Sequence, residues 1–455
     1  MGNVSAAVGH AAHRHLEAAT QRATAEMQSG LSGDPEQLIF IVGNYDKGKK
    51  QYKNALAFLK NTFGPDIPML GMNSMGTFTQ SGYSLRGVAI MGLQGVAVDP
   101  IRVPRIRIRS KQKGQRIAKF FKKQTSPQEK SVSVHFPPGI VFPKFMIEKM
   151  NAQKPTKFFA AFNLPPVYWF SGLMRRMGKL TGKLFDLTGL GMPYTGTWNA
   201  FVEMHKAGLN FIGANGANVL DMSHSYQFHN YKIFKKSMVS FQLRSKDLQF
   251  GTGIECAANT TDKECNVQDY LPGGFATKIN NKWGRDAVFD LNNNPSPELW
   301  YRHYQEFQFM DLVHPFCIED PNQEVGDSAR IYCLGANPQF RAALHTAPDQ
   351  VLERIRKKEI RAVMGYQSGK QLIDFIGKSL SNIKEQAAIT KPKFAFLFDC
   401  INCLMALSHR FKAIPAQIRE VLDDTPYLGI VACGEAISNP YPLANMSMVS
   451  LIAGS

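Results

Sequence analysis

Leu428-Gly-Ile-Val-Ala-Cys433-Gly434-Glu435-Ala-Ile-Ser-Asn-Pro-Tyr-Pro-Leu-Ala-Asn445-Met-Ser447, continued by Met-Val-Ser-Leu-Ile452, reads as an apolar strand, a Gly-Glu pair, a Pro-rich loop and a second apolar strand. Short apolar runs bounded by turn residues are the pattern of strands covered on both faces. The arrangement sets a carboxylate, Glu435, and an amide, Asn445, at adjacent strand ends. There, paired hydrogen bonds can hold a small polar ligand. The plainer role for both side chains is to satisfy loop backbone groups.

The same pattern of strand, turn and strand recurs upstream. Leu38 to Val42 is a short buried strand, and Tyr52, Leu56, Leu59 and Phe63 form one apolar helical stripe that stops at Gly64-Pro65. Met69-Leu70 leads into a Gly/Ser-rich turn, and Val88 to Leu93 is the next strand. Helix, strand and a turn at Gly213 to Asn218 follow, and further helices and strands run on to the C-terminus. The pattern predicts an α/β fold, two-lobed, with mixed β-sheets flanked by helices in a layered sandwich of pseudo-duplicated halves. In that reading the loops at Gly76 and Gly434 meet in one central cleft, since crevices in α/β proteins form where strands end.

The ordered set of these segments resembles the FIST sensory family from about Gln37 to the C-terminus. Leu38 to Val42, Pro68-Met-Leu-Gly71-Met-Asn-Ser74-Met-Gly76-Thr77 and Gly87 to Leu93 are similar to its N-terminal half. Leu209-Asn-Phe-Ile-Gly213-Ala-Asn-Gly216-Ala-Asn218 is similar to its second glycine-rich strand end. His314-Pro-Phe316, Ala329-Arg-Ile331, Phe394 to Cys400 and the Gly-Glu turn fall in the order of its C-terminal half. The resemblance implies ligand-binding positions at Gly71, Ser74, Gly76, Gly213, Asn218, Gly434, Glu435 and Asn445. It also implies non-catalytic work, either sensing small ligands such as amino acids or recruiting substrates as in F-box proteins. Two positions depart from the family: Thr77 stands where an acidic residue is usual, and Cys403 where an Arg often follows the Cys. The expected organisation is an N-terminal arm (1–36), a FIST N-like domain (37–245) with a basic insertion at about 100–194, a loop-rich linker (246–289) and a FIST C-like domain (290–455).

Charge is the second strong signal. The net charge is +17, and residues 100–210 hold twenty Lys/Arg against four acids, so one quarter of the chain carries nearly all of it. Ten cations and no acid lie between Arg102 and Lys123. Such a patch attracts polyanions over about 8 Å in cellular salt. Arg105, Arg107 and Arg109 alternate with Ile106 and Ile108, so a strand there would present three guanidiniums on one face. Lys119, Lys122 and Lys123 lie opposite Ile117, Phe120 and Phe121 on a helix. Downstream, Phe158, Phe159, Phe162, Tyr168, Trp169 and Phe170 are interleaved with Pro165 and Pro166. An acidic protein partner, a nucleic acid and an anionic membrane compete for this surface. Aromatics with Arg are also what anchors protein interfaces, and no RNA-binding signature accompanies the aromatics.

Seven scattered cysteines argue for reduced thiols, and Cys400-Ile-Asn-Cys403 is a lone CxxC with neither a second CxxC nor a paired His to complete a metal site. Asp399 beside Cys400 is expected to disfavour the thiolate. Gly43-Asn-Tyr-Asp-Lys-Gly48-Lys49-Lys50 has phosphate-loop spacing up to its last position, where Lys50 replaces the Ser/Thr that would ligate Mg²⁺. No catalytic constellation is present, so the chain is expected to be non-enzymatic and to use no cofactor and no metal. No apolar run reaches the length of a membrane span. Met1-Gly2-Asn3 invites a myristoylation reading, but Ala6 stands where a hydroxyl is usual. The leading expectation is a cytoplasmic interaction or scaffold module whose basic insertion docks to an acidic assembly, for example a cytoskeletal filament or flagellum. The alternatives are a cytosolic small-ligand sensor and, more weakly, an RNA-binding protein.

Overall fold

Every residue of Gln37–Val42 is buried, which a strand achieves only when both of its faces are covered. Ile39 and Ile41 point into a large shared core, and Leu38, Phe40 and Val42 point the other way, into a layer of helices. This two-sided burial is repeated throughout the computed structural model. It describes residues 4–45, 48–139, 141, 173, 187, 194–216, 224–255, 258–271, 275–291, 311–319, 331–336, 342–345, 347, 349–407, 411, 413–439 and 446–455. The fold is α/β, with mixed sheets flanked by helices.

Three units follow one another along the chain. The first comprises β1 (Ser5–Ala12), α1 (Leu16–Ser29), β2 (Gln37–Val42), α2 (Gly48–Phe63), β3 (Met69–Asn73), β4 (Gly76–Thr79), β5 (Gly82–Ser84) and β6 (Gly87–Gln94). The second comprises β7 (Ala97–Val103), α3 (Ser110–Gln124), β8 (Lys130–Phe136), α4 (Tyr194–Lys206), β9 (Phe211–Ala214), β10 (Gln227–His229), β11 (Lys232–Phe234) and β12 (Met238–Ser245). The third opens with β13 (Gln249–Glu255) and is interrupted by a further sheet. The interruption contains β14 (Asn259–Glu264), β15 (Val267–Leu271), β16 (Phe275–Ile279), β17 (Lys282–Trp283), α5 (Gly284–Leu291), β18 (Asp311–Glu319), β19 (Ile331–Ala336), β20 (Ala343–His345), α6 (Asp349–Arg356) and β21 (Arg361–Tyr366). The unit then resumes with α7 (Gly369–Gln386), β22 (Pro392–Cys400), α8 (Ile401–Leu407), α9 (Ile414–Leu422), β23 (Tyr427–Ala432), β24 (Glu435–Ile437) and β25 (Met448–Gly454).

Each unit builds its sheet in the same way. Its second inner strand runs parallel to the first across a helical crossover (β2 with β3, β8 with β9, β22 with β23). Its last strand returns antiparallel to the first, and its opening strand pairs on the outside of the last. The short strand after the second inner strand is then given to another unit's sheet. Thus β4 pairs with β23 (Gly76 opposite Val431), β10 with β3 (Gln227 opposite Met72) and β24 with β9 (Glu435 opposite Ala214). The expected duplication is therefore met by a repeat that occurs three times, closed into a ring by exchanged strands.

The inner faces of the three sheets share one core. Phe136 and Phe241 of the second sheet meet Phe398 and Phe396 of the third, with ring centroids 6.3 and 6.0 Å apart. The outer faces are roofed separately by α1 and α2, by α3 and α4, and by α7, α8 and α9. The roofing helix α7 starts on a capping box, in which Ser368 Oγ accepts from Gln371 N–H at 3.2 Å and Gln371 Oε1 accepts from Ser368 N–H at 2.8 Å.

Three sequence expectations change here. Residues 1–36 contain a sheet strand and a packed helix instead of an arm. The buried stripe of α1 is Leu16, Ala19, Thr20, Ala23, Thr24 and Met27, small residues that let the helix sit directly on β1. A Cβ at Gly9 would come within 1.8 Å of the Ala23 carbonyl oxygen. The region from Pro100 onward begins with β7, α3 and β8, which are framework elements of the second unit and no insertion. The linker expected at 246–289 carries β13 to β17 and much of α5. The aromatic run at 158–170 and Met1 to Asn3 lie outside the described residues.

Arg244 of β12 ties β7 and the turn before β8 by charge. Its Nε lies 2.5 Å from Asp99 Oδ2 and an Nη 2.7 Å from Glu129 Oε2, with about one sixth of each side chain exposed. Arg244→Ala is expected to cost about 1 kcal/mol, the upper end for partly exposed pairs, measurable by urea denaturation at pH 7. The Ser126 N–H, with Arg244, holds Glu129 below the usual carboxylate range. Its contribution is present above the unfolded carboxylate pKa and is lost as pH falls through the depressed one. The variant should therefore lose less stability than the wild type on acidification.

Candidate functional site

Four strand ends and one hairpin converge beside β22. This strand closes on Asp399-Cys400, and Cys403 follows in the first turn of α8. From β23 the chain turns through Cys433 and Gly434, whose φ of 99° suits glycine, into Glu435 of β24. Ser447 enters just before β25: its carbonyl accepts from Cys400 N–H at 3.0 Å, and its hydroxyl donates to Glu435 Oε2 at 3.4 Å. The second unit contributes Asn215, whose N–H donates to the Gly434 carbonyl at 3.1 Å and whose carbonyl accepts from Cys433 N–H at 3.2 Å. From the first unit, the β4–β5 hairpin brings Tyr83, whose ring packs at a tilt of 52° on Phe411 with centroids 4.5 Å apart. All three repeats thus contribute to one place.

Between α7, α8 and the start of β25 lies a crevice of about 20 Å³, lined by Leu372, Phe375, Ile376, Asp399, Cys403, Leu407, Met446, Ser447 and Met448. Asp399 and Glu435 are only 4% and 1% exposed. Asp399 Oδ2 and Glu435 Oε1 have no hydrogen-bond partner among the described residues, and the same holds for the Tyr83 hydroxyl. Burial pushes the Asp399 carboxyl well up, helped by the neighbouring Cys400 sulfur. Glu435 is raised by burial first, then by Cys400 and Asp399.

Cys400 shows the opposite balance. Burial opposes its thiolate, but the Cys403 thiol and the backbone N–H groups of Asn402, Met446 and Cys403 donate to the sulfur and bring it down to about 7. The expected penalty from Asp399 does not hold it up, because a buried, protonated Asp399 carries no charge to repel a thiolate. Donation to Cys400, together with burial, pushes Cys403 far up. Within the cluster the balance of burial and hydrogen bonding therefore favours a thiolate at Cys400 over a carboxylate at Asp399 or Glu435.

The sequence-predicted residues divide into three groups. Glu435, Gly434 and Gly76 are at the site: a Cβ on Gly76 would lie 3.2 Å from Val431 and 3.3 Å from the Tyr83 hydroxyl. Ser74 is a buried turn clamp, its hydroxyl donating to the Gly76 carbonyl at 2.8 Å. Gly71 and Gly213 are packing glycines away from the crevice. A Cβ on Gly71 would come 1.8 Å from the Phe40 carbonyl oxygen, and one on Gly213 would press on His135 and Phe201. Asn218 and Asn445 lie outside the described residues. Thr77, read as a departure from the family, is buried against His10, with Oγ1 and Nε2 3.1 Å apart. Tyr83, Asn215, Asp399 and Ser447 were not among the sequence candidates. The apolar run ending in Asp399-Cys400-x-x-Cys403 was the visible signal for one of them.

The basic residues also separate. Residues 104–109 form turns, with Arg105 and Arg109 at φ of 48° and 53°, so no strand aligns three guanidiniums. Arg107 is buried and donates to the Gly139 carbonyl at 2.7 Å. Lys119, Lys122 and Lys123 do lie on the exposed face of α3, with Lys111 and Arg116. Ile117, Ala118 and Phe121 hold the other face in the core.

A four-sheet α/β body thus carries, beside its exchanged strand ends, a small and mostly apolar crevice with the buried carboxyl of Asp399 in its lining. The sequence model of the FIST N domain matches residues 37–282, and the chain belongs to the FIST family, a family of sensory, ligand-binding domains. The match covers the exchanged β4, β10 and the whole second unit. No curated protein matches the chain. Among the described residues, no helix is long and apolar enough to cross a membrane.

Proposed function

We propose that the chain is a non-enzymatic sensor that binds the amino group of a small ligand, such as an amino acid, between Asp399 and Glu435. The observation that carries this reading is the pair of buried carboxyls, each with an oxygen that has no hydrogen-bond partner among the described residues. An unmet buried polar group costs about 1–3 kcal/mol, and an ammonium group offers the three donors and the positive charge the pair lacks. The crevice is small and its lining reaches Asp399 and Ser447, whose hydroxyl donates to Glu435, so it takes only the head of the ligand. Binding would convert neutral carboxyls to carboxylates and release protons, so affinity should rise with pH until the raised carboxyl pKa values are passed.

Titration calorimetry with a panel of amino acids and simple amines at pH 6 and pH 8 tests this. The expected result is tighter binding at pH 8 and a roughly 10- to 150-fold loss in Glu435→Gln, the equivalent of about 1.5–3 kcal/mol. Binding that is independent of pH, or unchanged in the Gln variant, would overturn the reading.

The exposed cations of α3 favour a second role, docking of this cytoplasmic module to an acidic partner such as a cytoskeletal filament. Reversing Lys119, Lys122 and Lys123 to Glu should slow association by an order of magnitude or more at low salt and leave ligand affinity unchanged. Co-sedimentation with filaments beside an RNA filter assay, at matched salt, separates protein from nucleic acid. Retention after charge reversal, or preference for RNA, would remove this role.

A further inference from the structure

Cys400 and Cys403 are placed for a reaction that the binding reading does not use. The strand β22 ends at Cys400 and the first turn of α8 carries Cys403 back over it, so that the Cys403 thiol donates a hydrogen bond to the Cys400 sulfur. Two sulfurs in hydrogen-bond contact need only a small displacement to bond, and CxxC spacing at a strand-to-helix turn permits it. The crevice reaches Cys403. Its volume of about 20 Å³ has room for one water-sized molecule, which admits hydrogen peroxide and excludes a glutathione or protein disulfide. Cys265 and Cys317, by contrast, are buried and pushed up to about 12 by desolvation, so they are poor nucleophiles.

We propose that Cys400 and Cys403 form a peroxide-oxidisable dithiol that closes into an intramolecular disulfide. The Cys400 thiolate attacks one peroxide oxygen; an S–O bond forms, the O–O bond breaks, and the departing hydroxide takes a proton to become water. The Cys403 sulfur then attacks Cys400. An S–S bond forms, the S–O bond breaks, and the second hydroxide leaves as water with the Cys403 proton. Two thiols lose two electrons in all, and one peroxide is reduced to two waters. Once the chain is unfolded, an external dithiol reverses the reaction by exchange. The thiolate character of Cys400 and the protonated state of Cys403 match the roles of attacking and resolving sulfur.

Mass spectrometry of the full-length chain tests this without any variant. The folded protein is treated with a few equivalents of hydrogen peroxide, denatured in N-ethylmaleimide without reductant, and digested with trypsin. Both cysteines lie in the peptide between Lys393 and Arg410. The expected product is that peptide, unalkylated and lighter by two hydrogens, and recovered as the doubly alkylated form after dithiothreitol. In Cys403→Ser the disulfide should vanish, and dimedone present during denaturation should trap a sulfenic acid on Cys400, with circular dichroism of the variant before treatment confirming the fold. Cys433→Ser should still form the disulfide. Peroxide treatment that leaves both thiols alkylated, or that links Cys400 to Cys433, would overturn the proposal.

Discussion

Phe396→Ala is expected to destabilise the protein by about 3–5 kcal/mol, a large part of the stability of an ordinary domain. Phe396 is fully buried on the inner face of β22, 6.0 Å from the Phe241 ring of the neighbouring unit and 6.1 Å from Phe394. Truncation removes the transfer energy of the ring and leaves a cavity where two sheets meet. The surrounding strands are tied by exchanged pairing and cannot collapse to fill it. Phe120→Ala, on the half-buried side of α3, removes a ring of equal size where solvent and neighbouring side chains can refill the space, and should cost a small fraction as much. Equilibrium denaturation of both variants checks the pair. Equal losses would mean that the three sheets do not share one core.

The second large effect is a gain. Asp399 and Glu435 are buried carboxyls raised well above their ordinary values. In such a case the stability is full below the unfolded carboxylate pKa, near 4, and is lost as pH rises toward the folded value, because only the unfolded chain can ionise. Each unit of upward shift lowers stability by about 1.4 kcal/mol once pH exceeds both values. Glu435→Gln and Asp399→Asn remove the ionisation, so both variants should be more stable than the wild type at pH 8 and close to it at pH 4. The double variant should gain less than the sum, since Asp399 itself raises Glu435. Denaturation midpoints at the two pH values measure this. A wild-type protein as stable at pH 8 as at pH 5 would show that the carboxyls are not held neutral. Stability gained by losing these groups is the pattern of residues kept for binding.

The sequence by itself determined the α/β class, the principal buried strands and the turn at Gly434-Glu435 that ends one of them. Those features are written in local spacing: alternation and helical periodicity decide which neighbours at i+2 or i+4 share a face. A run such as Leu428 to Ala432 has one stable role in a fold of this kind. The α1 stripe was equally local but was built from Ala and Thr, which carry little hydrophobic contrast, so it read as an arm. Only the tertiary structure decided the rest. The transfer of β4, β10 and β24 between units depends on pairings such as Gly76 with Val431, separated by most of the chain, and no window of sequence records them. That transfer brings Tyr83 and Asn215 to Asp399 and Glu435, and so assembles the candidate site. Arg107 shows the converse. Its alternation with Ile106 and Ile108 predicted a basic strand face, but turns at 104–109 fold it inward to the Gly139 carbonyl, because a backbone that bends at positive φ no longer obeys the period of a strand.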